Sequence, residues 1–261
     1  MRYLESKQGS HISDRHILFI HGLGSSAERW LDIPDALSMY YHTIAVDLIG
    51  FGASDKPANV NYTIEKFSEF ILEFIEKIGL GSDGRKIILV GHSLGGYIAV
   101  EFALRNTTLI EKLVLIDSSG FLRGPTPLLK QYLNAAKHPT YDNVRSVFEQ
   151  LVSQPWKIFP VLINTFMTRM NSPDAKYPFE SAYQNSTTTQ IDLSRVKSIE
   201  DIPALIIWGN SDTLIPLEYI EPFKQIFKNY KVETIEDAGH APFTEKPALI
   251  CEMLHSFLSG I

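Results

Sequence analysis

Six short apolar runs, at residues 17–20, 43–46, 87–90, 113–116, 204–208 and 231–235, alternate with longer stretches of helical periodicity. Most of the runs are apolar at consecutive positions, as strands covered on both faces are. The clearest helical stretch is 64–78. Phe67, Phe70, Ile71, Phe74, Ile75 and Ile78 form one stripe, with Glu69, Glu73, Glu76 and Lys77 opposite. Thr63 is placed to cap its start and Gly79 its end. A last helix is expected after Thr244-Glu245-Lys246-Pro247, with Ile250, Met253, Leu254 and Phe257 inward. Strand–helix alternation of this kind predicts an α/β fold: a mostly parallel sheet with helices on both faces. About 16 residues precede the first central strand, so one antiparallel edge element is expected near residues 2–5.

The alternation stops between 121 and 198. That stretch is helical in pattern and rich in aromatics and proline, as in "QPWKIFPVLINTFMTRM". Strands flank it on both sides, which makes it an insertion. The expected organisation is a core of residues 1–120 and 199–261 with a helical cap at 121–198.

A chain of 261 residues with 44% apolar and 21% charged residues fits one large soluble α/β domain. The net charge is −6 and there is no basic clustering, so nucleic acid is not an expected partner. The single cysteine, Cys251, excludes an intramolecular disulfide and falls in an apolar helical pattern. No apolar secretory core and no run of about 18 apolar residues is present, so a cytoplasmic protein without a membrane span is expected. The Asn-x-Ser/Thr triplets at Asn61, Asn106 and Asn185 are then chance matches.

One short stretch carries chemistry. "GHSLGG" at 91–96 directly follows the strand pattern at 87–90 and precedes a helical run at 97–104. A serine hydroxyl becomes a nucleophile when a base takes its proton. A sharp strand-to-helix turn exposes that hydroxyl and aims the next helix's N–H groups at the reaction centre. Gly91 and Gly95 supply the room such a turn needs, and Gly96 lets the helix lie against the sheet. By composition alone G-x-S-x-G arises in roughly one chain of this length in ten. Its place between strand and helix is what gives it weight.

With this motif the chain resembles the α/β-hydrolase superfamily over nearly its whole length. "HILFIHGLGSS" is similar to the family's strand and oxyanion loop, "VDLIGFGASDKP" to the segment after the next strand, and "LVGHSLGG" to the nucleophile elbow. "LIIWGNSDTLIP" is similar to the acid turn and "IEDAGHAPFTEKP" to the histidine loop. The order Ser93, Asp212, His240 is the family's order. The resemblance implies Ser93 as nucleophile, His240 as general base and Asp212 as the acid that orients the imidazole. Asp117, after the preceding strand, is the rival acid; Asp47 and Asp237 are less well placed. The backbone N–H groups of Leu23 and Leu94 would form the oxyanion hole, with Gly22 and Gly24 keeping the first loop open. Read alone, "GLGSS" could be a phosphate cradle, but no P-loop lysine follows.

Trp156, Phe159, Phe166 and Met167 are candidates for an apolar acyl pocket under the cap. The expected activity is hydrolysis of a small-molecule carboxylic ester or lactone through an acyl-enzyme, without metal or organic cofactor. Ser93 stands against the epoxide hydrolases and haloalkane dehalogenases of this fold, which normally carry Asp there. The C–C bond hydrolases of ring-cleavage pathways usually have Asn at the position of His92 and Trp at that of Ala241. A cofactor-free perhydrolase and a ligand receptor on a hydrolase scaffold are the remaining alternatives.

Overall fold

The computed structural model describes residues 1–6, 15–30, 32–82, 84–155 and 158–260. Its strands are β1 (Tyr3–Ser6), β2 (His16–Ile20), β3 (His42–Val46), β4 (Ile87–His92), β5 (Ile110–Ile116), β6 (Ala204–Gly209) and β7 (Tyr230–Ile235). They form one seven-stranded sheet in the order β1-β3-β2-β4-β5-β6-β7. All neighbours are parallel except β1, which runs antiparallel along β3, as expected of the short N-terminal element. This is the α/β architecture that the alternation of strands and helices predicts.

The continuous apolar runs have a direct cause. Along β2, Leu18 and Ile20 enter the core on one face of the sheet, while Ile17 and Phe19 enter the core on the other. The first face is covered by α2 (Ile64–Ile78) and α3 (Leu94–Arg105). The second is covered by α1 (Asp32–Leu37) and the last helix, α10 (Pro247–Ser259). A strand buried on both faces has no polar positions left to alternate. The edge strand β7 is the exception, half exposed and charged at Lys231 and Glu233, which pair at 2.8 Å.

Helix α2 follows its sequence signals. The Thr63 side chain accepts the Lys66 N–H at 3.1 Å, and Gly79 closes the helix at φ 70°, a left-handed conformation that glycine adopts without steric cost. Helix α10 buries Ile250, Leu254 and Leu258.

Between β5 and β6 lie four helices: α4 (Pro127–Lys137), α5 (Tyr141–Gln150), α6 (Pro160–Met170) and α7 (Lys176–Thr188). They meet in an aromatic cluster in which the Tyr132 ring stacks on Phe166 at 5.4 Å and meets Phe179 edge-on at 5.3 Å. Two short helices, α8 (Ile220–Lys224) and α9 (Pro242–Glu245), complete the fold. No helix among the described residues is long and apolar enough to cross a membrane.

Candidate active site

The loops at the carboxyl ends of β4, β5, β6 and β7 converge. Strand β4 ends at His92, Ser93 turns the chain at φ 54° and ψ −120°, and α3 begins at Leu94. A non-glycine residue held there is strained, and the neighbours hold it. Ser93 N–H donates to the Ile116 carbonyl at 3.0 Å, and its own carbonyl accepts from Gly96 N–H at 3.0 Å and Ser119 N–H at 3.1 Å. The turn is closed so tightly that a Cβ at Gly95 would overlap the Ile20 carbonyl oxygen of the neighbouring strand. One at Gly91 would meet the Gly96 Cα at 2.6 Å.

Opposite Ser93 runs the loop after β2. A Cβ at Gly22 would stand 3.0 Å from the Ser93 Cβ, so the two segments touch. Among the described residues, the N–H groups of Leu23 and Leu94 and the Ser93 hydroxyl have no hydrogen-bond partner. Two uncommitted N–H donors beside a free hydroxyl can receive a developing oxyanion.

His21 fixes this loop by bonding Gly22 O through Nδ1 (2.8 Å) and Leu48 N–H through Nε2 (3.1 Å). It is neutral, with Nδ1 donating and Nε2 accepting. The Tyr132 hydroxyl donates to the Leu23 carbonyl at 3.0 Å, tying α4 to the same loop. Asp47 accepts from Ala27 N–H (2.6 Å), Ala53 N–H (2.8 Å) and Arg2 (3.1 Å), so it joins loops and takes no part in the cluster around His240.

His240 lies after β7, 5% exposed, and Asp212 after β6, 6% exposed. His240 Nδ1 is 2.7 Å from Asp212 Oδ2. Asp212 Oδ1 accepts from Leu214 N–H (2.8 Å) and Ile215 N–H (3.0 Å), a donor set that favours the ionised carboxylate. The imidazole therefore keeps its proton on Nδ1 and leaves Nε2 as an acceptor. The backbone around it is also held: His240 N–H donates to the Leu151 carbonyl at 2.8 Å, and His92 Nε2 bonds the His240 carbonyl at 2.6 Å. Glu245 accepts from Gly239 N–H (2.7 Å) and from the Ser153 N–H (2.9 Å) and hydroxyl (2.8 Å), bracing the loop against the segment after α5.

Asp117, the rival acid, lies in the same cluster but does not bond His240; its Oδ1 accepts Gly209 N–H at 2.9 Å. Asp117, Asp212 and His240 hold potential ligand atoms within 4.8 Å of one another. Two ligands of a tetrahedral ion with bonds of about 2.0 Å stand about 3.3 Å apart. The 2.7 Å between His240 and Asp212 is the spacing of a shared proton and does not fit a metal shell.

Of the expected pocket residues, Trp156 lies outside the described residues. Phe166 is buried, and both it and Tyr132 crowd Gly24 in the loop after β2. Met167 is half-buried. Phe159 stands 65% exposed, outside the aromatic cluster that buries Phe166. Helical spacing would align it with Ile163, Phe166 and Met170, but it caps α6 with extended backbone, φ −79° and ψ 138°, so its ring leaves that stripe. Sequence reasoning missed Tyr132 and Glu245. An acid shortly after His240 is a weak signal for the second, and nothing local marks the first.

Burial lowers the His21 pKa to about 4, and burial together with the nearby His240 lowers that of His92 well below the ordinary value. Both rings take up protons more readily in the unfolded chain, whose histidines titrate near 6.5. Their contribution to stability is thus complete above about pH 6.5 and is lost as the pH falls towards about 4, on the order of 3 kcal/mol for His21. The expected result is a denaturant midpoint that declines through this window while the His21 ring resonances keep neutral values down to about pH 5. A His21 titration near the free-histidine value would refute it.

A family model described as alpha/beta hydrolase fold matches residues 15–247. Lipase 3 of Moraxella sp. (strain TA144) is 26% identical over 241 residues, covering 91% of this chain and 75% of that protein. The 2-hydroxy-6-oxo-6-(2'-aminophenyl)hexa-2,4-dienoic acid hydrolase of Metapseudomonas resinovorans is 26% identical over 268 residues, covering 99% of this chain and 87% of that protein. Among solved structures, a meta-cleavage product hydrolase from Pseudomonas fluorescens IP01 superposes with a TM-score of 0.87 at 22% identity, covering 99% of this chain and 93% of that one. The match of the family model across most of the sequence, on the fold just described, makes the chain a member of the α/β-hydrolase fold family.

Proposed function

We propose that the protein is a serine hydrolase of carboxylic esters, with Ser93, His240 and Asp212 as its catalytic triad and the Leu23 and Leu94 N–H groups as its oxyanion hole. His240 Nε2 takes the Ser93 proton as Oγ attacks the ester carbonyl, and the two N–H donors hold the oxyanion. The tetrahedral intermediate collapses, and the alcohol leaves with the proton from His240. Water attacks the acyl-enzyme with His240 again as base, releasing the acid and restoring Ser93. Free enzymes commonly leave the Oγ–Nε2 hydrogen bond loose and tighten it when substrate binds. The four helices α4–α7 serve as the cap, with Phe166 in its inner wall.

The observation that carries this reading is the buried 2.7 Å contact of His240 with an Asp212 already held by two backbone donors, on a loop bonded to His92, the residue before the strained Ser93. A lactone is a cyclic ester and undergoes the same steps. C–C bond hydrolysis is the second reading, favoured by the Metapseudomonas relative. Against it, His92 is engaged by the His240 carbonyl and Ala241 leaves no large side chain after the base.

A fluorophosphonate probe is expected to label Ser93 alone, and a panel of esters and lactones of graded acyl length to show repeated turnover. Labelling with a single slow turnover would make the protein a receptor. Turnover of a vinylogous dienoate with esters inert would make it a C–C hydrolase.

A further inference from the structure

Asp117 is fully buried, 0% exposed, and its backbone is strained at φ 44°. Two bonds to β6 hold it there: its N–H donates to the Ile207 carbonyl at 2.9 Å, and its Oδ1 accepts Gly209 N–H at 2.9 Å. Those bonds pin the carboxyl against β6. Its other oxygen, Oδ2, is buried and finds no donor. The group it shares space with is Asp212, inside the cluster of three residues whose polar atoms lie within 4.8 Å.

Two carboxylates side by side in a dry site cannot both ionise. The donors decide which one keeps its charge. Asp212 receives two backbone N–H groups and the His240 ring, whereas Asp117 receives one N–H. The proton therefore belongs on Asp117, and it belongs on Oδ2, the oxygen without a donor. A proton there turns an unsatisfied buried acceptor into a donor facing an anion, which removes two unfavourable features at once.

We propose that Asp117 is a neutral carboxylic acid that donates its Oδ2–H to the Asp212 carboxylate, making it a positioning residue that holds Asp212 in line with His240. The titratable groups that face it are Asp212, His240 and Glu245. Burial first, then the Asp212 charge, and more weakly Glu245, push its carboxyl well above the usual range. A fourth bond on Asp212 fixes the carboxylate plane, so that Oδ2 points along the imidazole N–H without searching for it.

The proposal rests on the triad reading, and the test separates the two. Asp117→Gly tolerates a positive φ and removes the donor; Asp117→Asn also tolerates it and offers an amide N–H in place of the acid proton. The glycine variant is expected to lower kcat roughly 10- to 100-fold with KM little changed, the scale of a lost hydrogen bond to a charged group. The asparagine variant is expected to restore most of that loss. Infrared difference spectra of parent against Asp117→Asn at neutral pH are expected to show the carbonyl stretch of a protonated carboxylic acid in the parent alone. An asparagine variant as impaired as the glycine one, a glycine variant as active as the parent, or a missing band would each overturn the proposal. If the glycine variant does not fold, the asparagine kinetics and the infrared band decide. The band reports on Asp117 whatever Ser93 does, so a failure of the triad reading would leave it standing.

Discussion

Ser93→Ala is expected to lower ester turnover by ~10⁴–10⁶ while leaving the denaturation midpoint close to that of the parent. The size follows from what remains. On the proposed mechanism the N–H groups of Leu23 and Leu94 still face the carbonyl and the His240–Asp212 pair is intact, so water can attack the bound ester directly with only the help that binding and the oxyanion contacts provide. What is lost is the covalent path. The unchanged midpoint follows from the Ser93 hydroxyl having no partner among the described residues, so its removal breaks no bond that supports the fold. Hydrolysis of a short-chain p-nitrophenyl ester, followed beside urea unfolding, measures both. A variant that turns over at the parent rate would remove Ser93 from the chemistry. A loss of activity together with a collapsed midpoint would move the effect from chemistry to folding.

Gly95→Ala is expected to have the largest effect on stability. The added methyl would sit on the Ile20 carbonyl oxygen and 2.7 Å from that of His21, both backbone atoms of β2 and the loop it feeds. A flexible side chain could swing aside, but a central strand bonded on both edges cannot. Overpacking against movable neighbours costs about 1–3 kcal/mol, and here the cost is expected at about 3 kcal/mol or more. Gly124→Ala is the comparison, since a Cβ there meets nothing within 4 Å and the substitution bears only the strain of its φ of 138°. Urea midpoints in which the two variants lose equally would show that the close approach of α3 to β2 is not what requires glycine at 95.

Much of this was legible in the sequence because the signals were local. Helix α2 begins and ends where Thr63 and Gly79 place it. The turn at Ser93 was marked by glycines within three residues of it, and the turns that bring Asp212 and His240 together by the motifs around them. What the sequence hid was held together over distance. Strand β5 starts at Ile110, ahead of the apolar run at 113–116, because Glu111 pairs with Arg15 and the Lys112 ammonium donates to the carbonyls of Phe257 and Leu258. Charged residues read as loop until those partners are known. Helix α3 likewise starts at Leu94, where Gly95 and Gly96 argue locally against a helix and packing on β2 overrides them. The Tyr132 bond to Leu23 spans 109 residues, and the closeness of Asp117 to Asp212 joins two loops that share no motif.

The peptide N–H of His240 ends on the carbonyl of Leu151, the residue that closes α5. With the bonds of Ser153 to Glu245 and to the Asp237 carbonyl, that attachment ties the end of α5 to the histidine loop. A door swinging from the end of α5 would drag the imidazole with it and pull it away from Asp212. On the proposed reading of α4–α7 as a cap, α5 is then the doorpost, and any moving leaf lies on the far side, where α6 starts at Pro160 beside the exposed ring of Phe159.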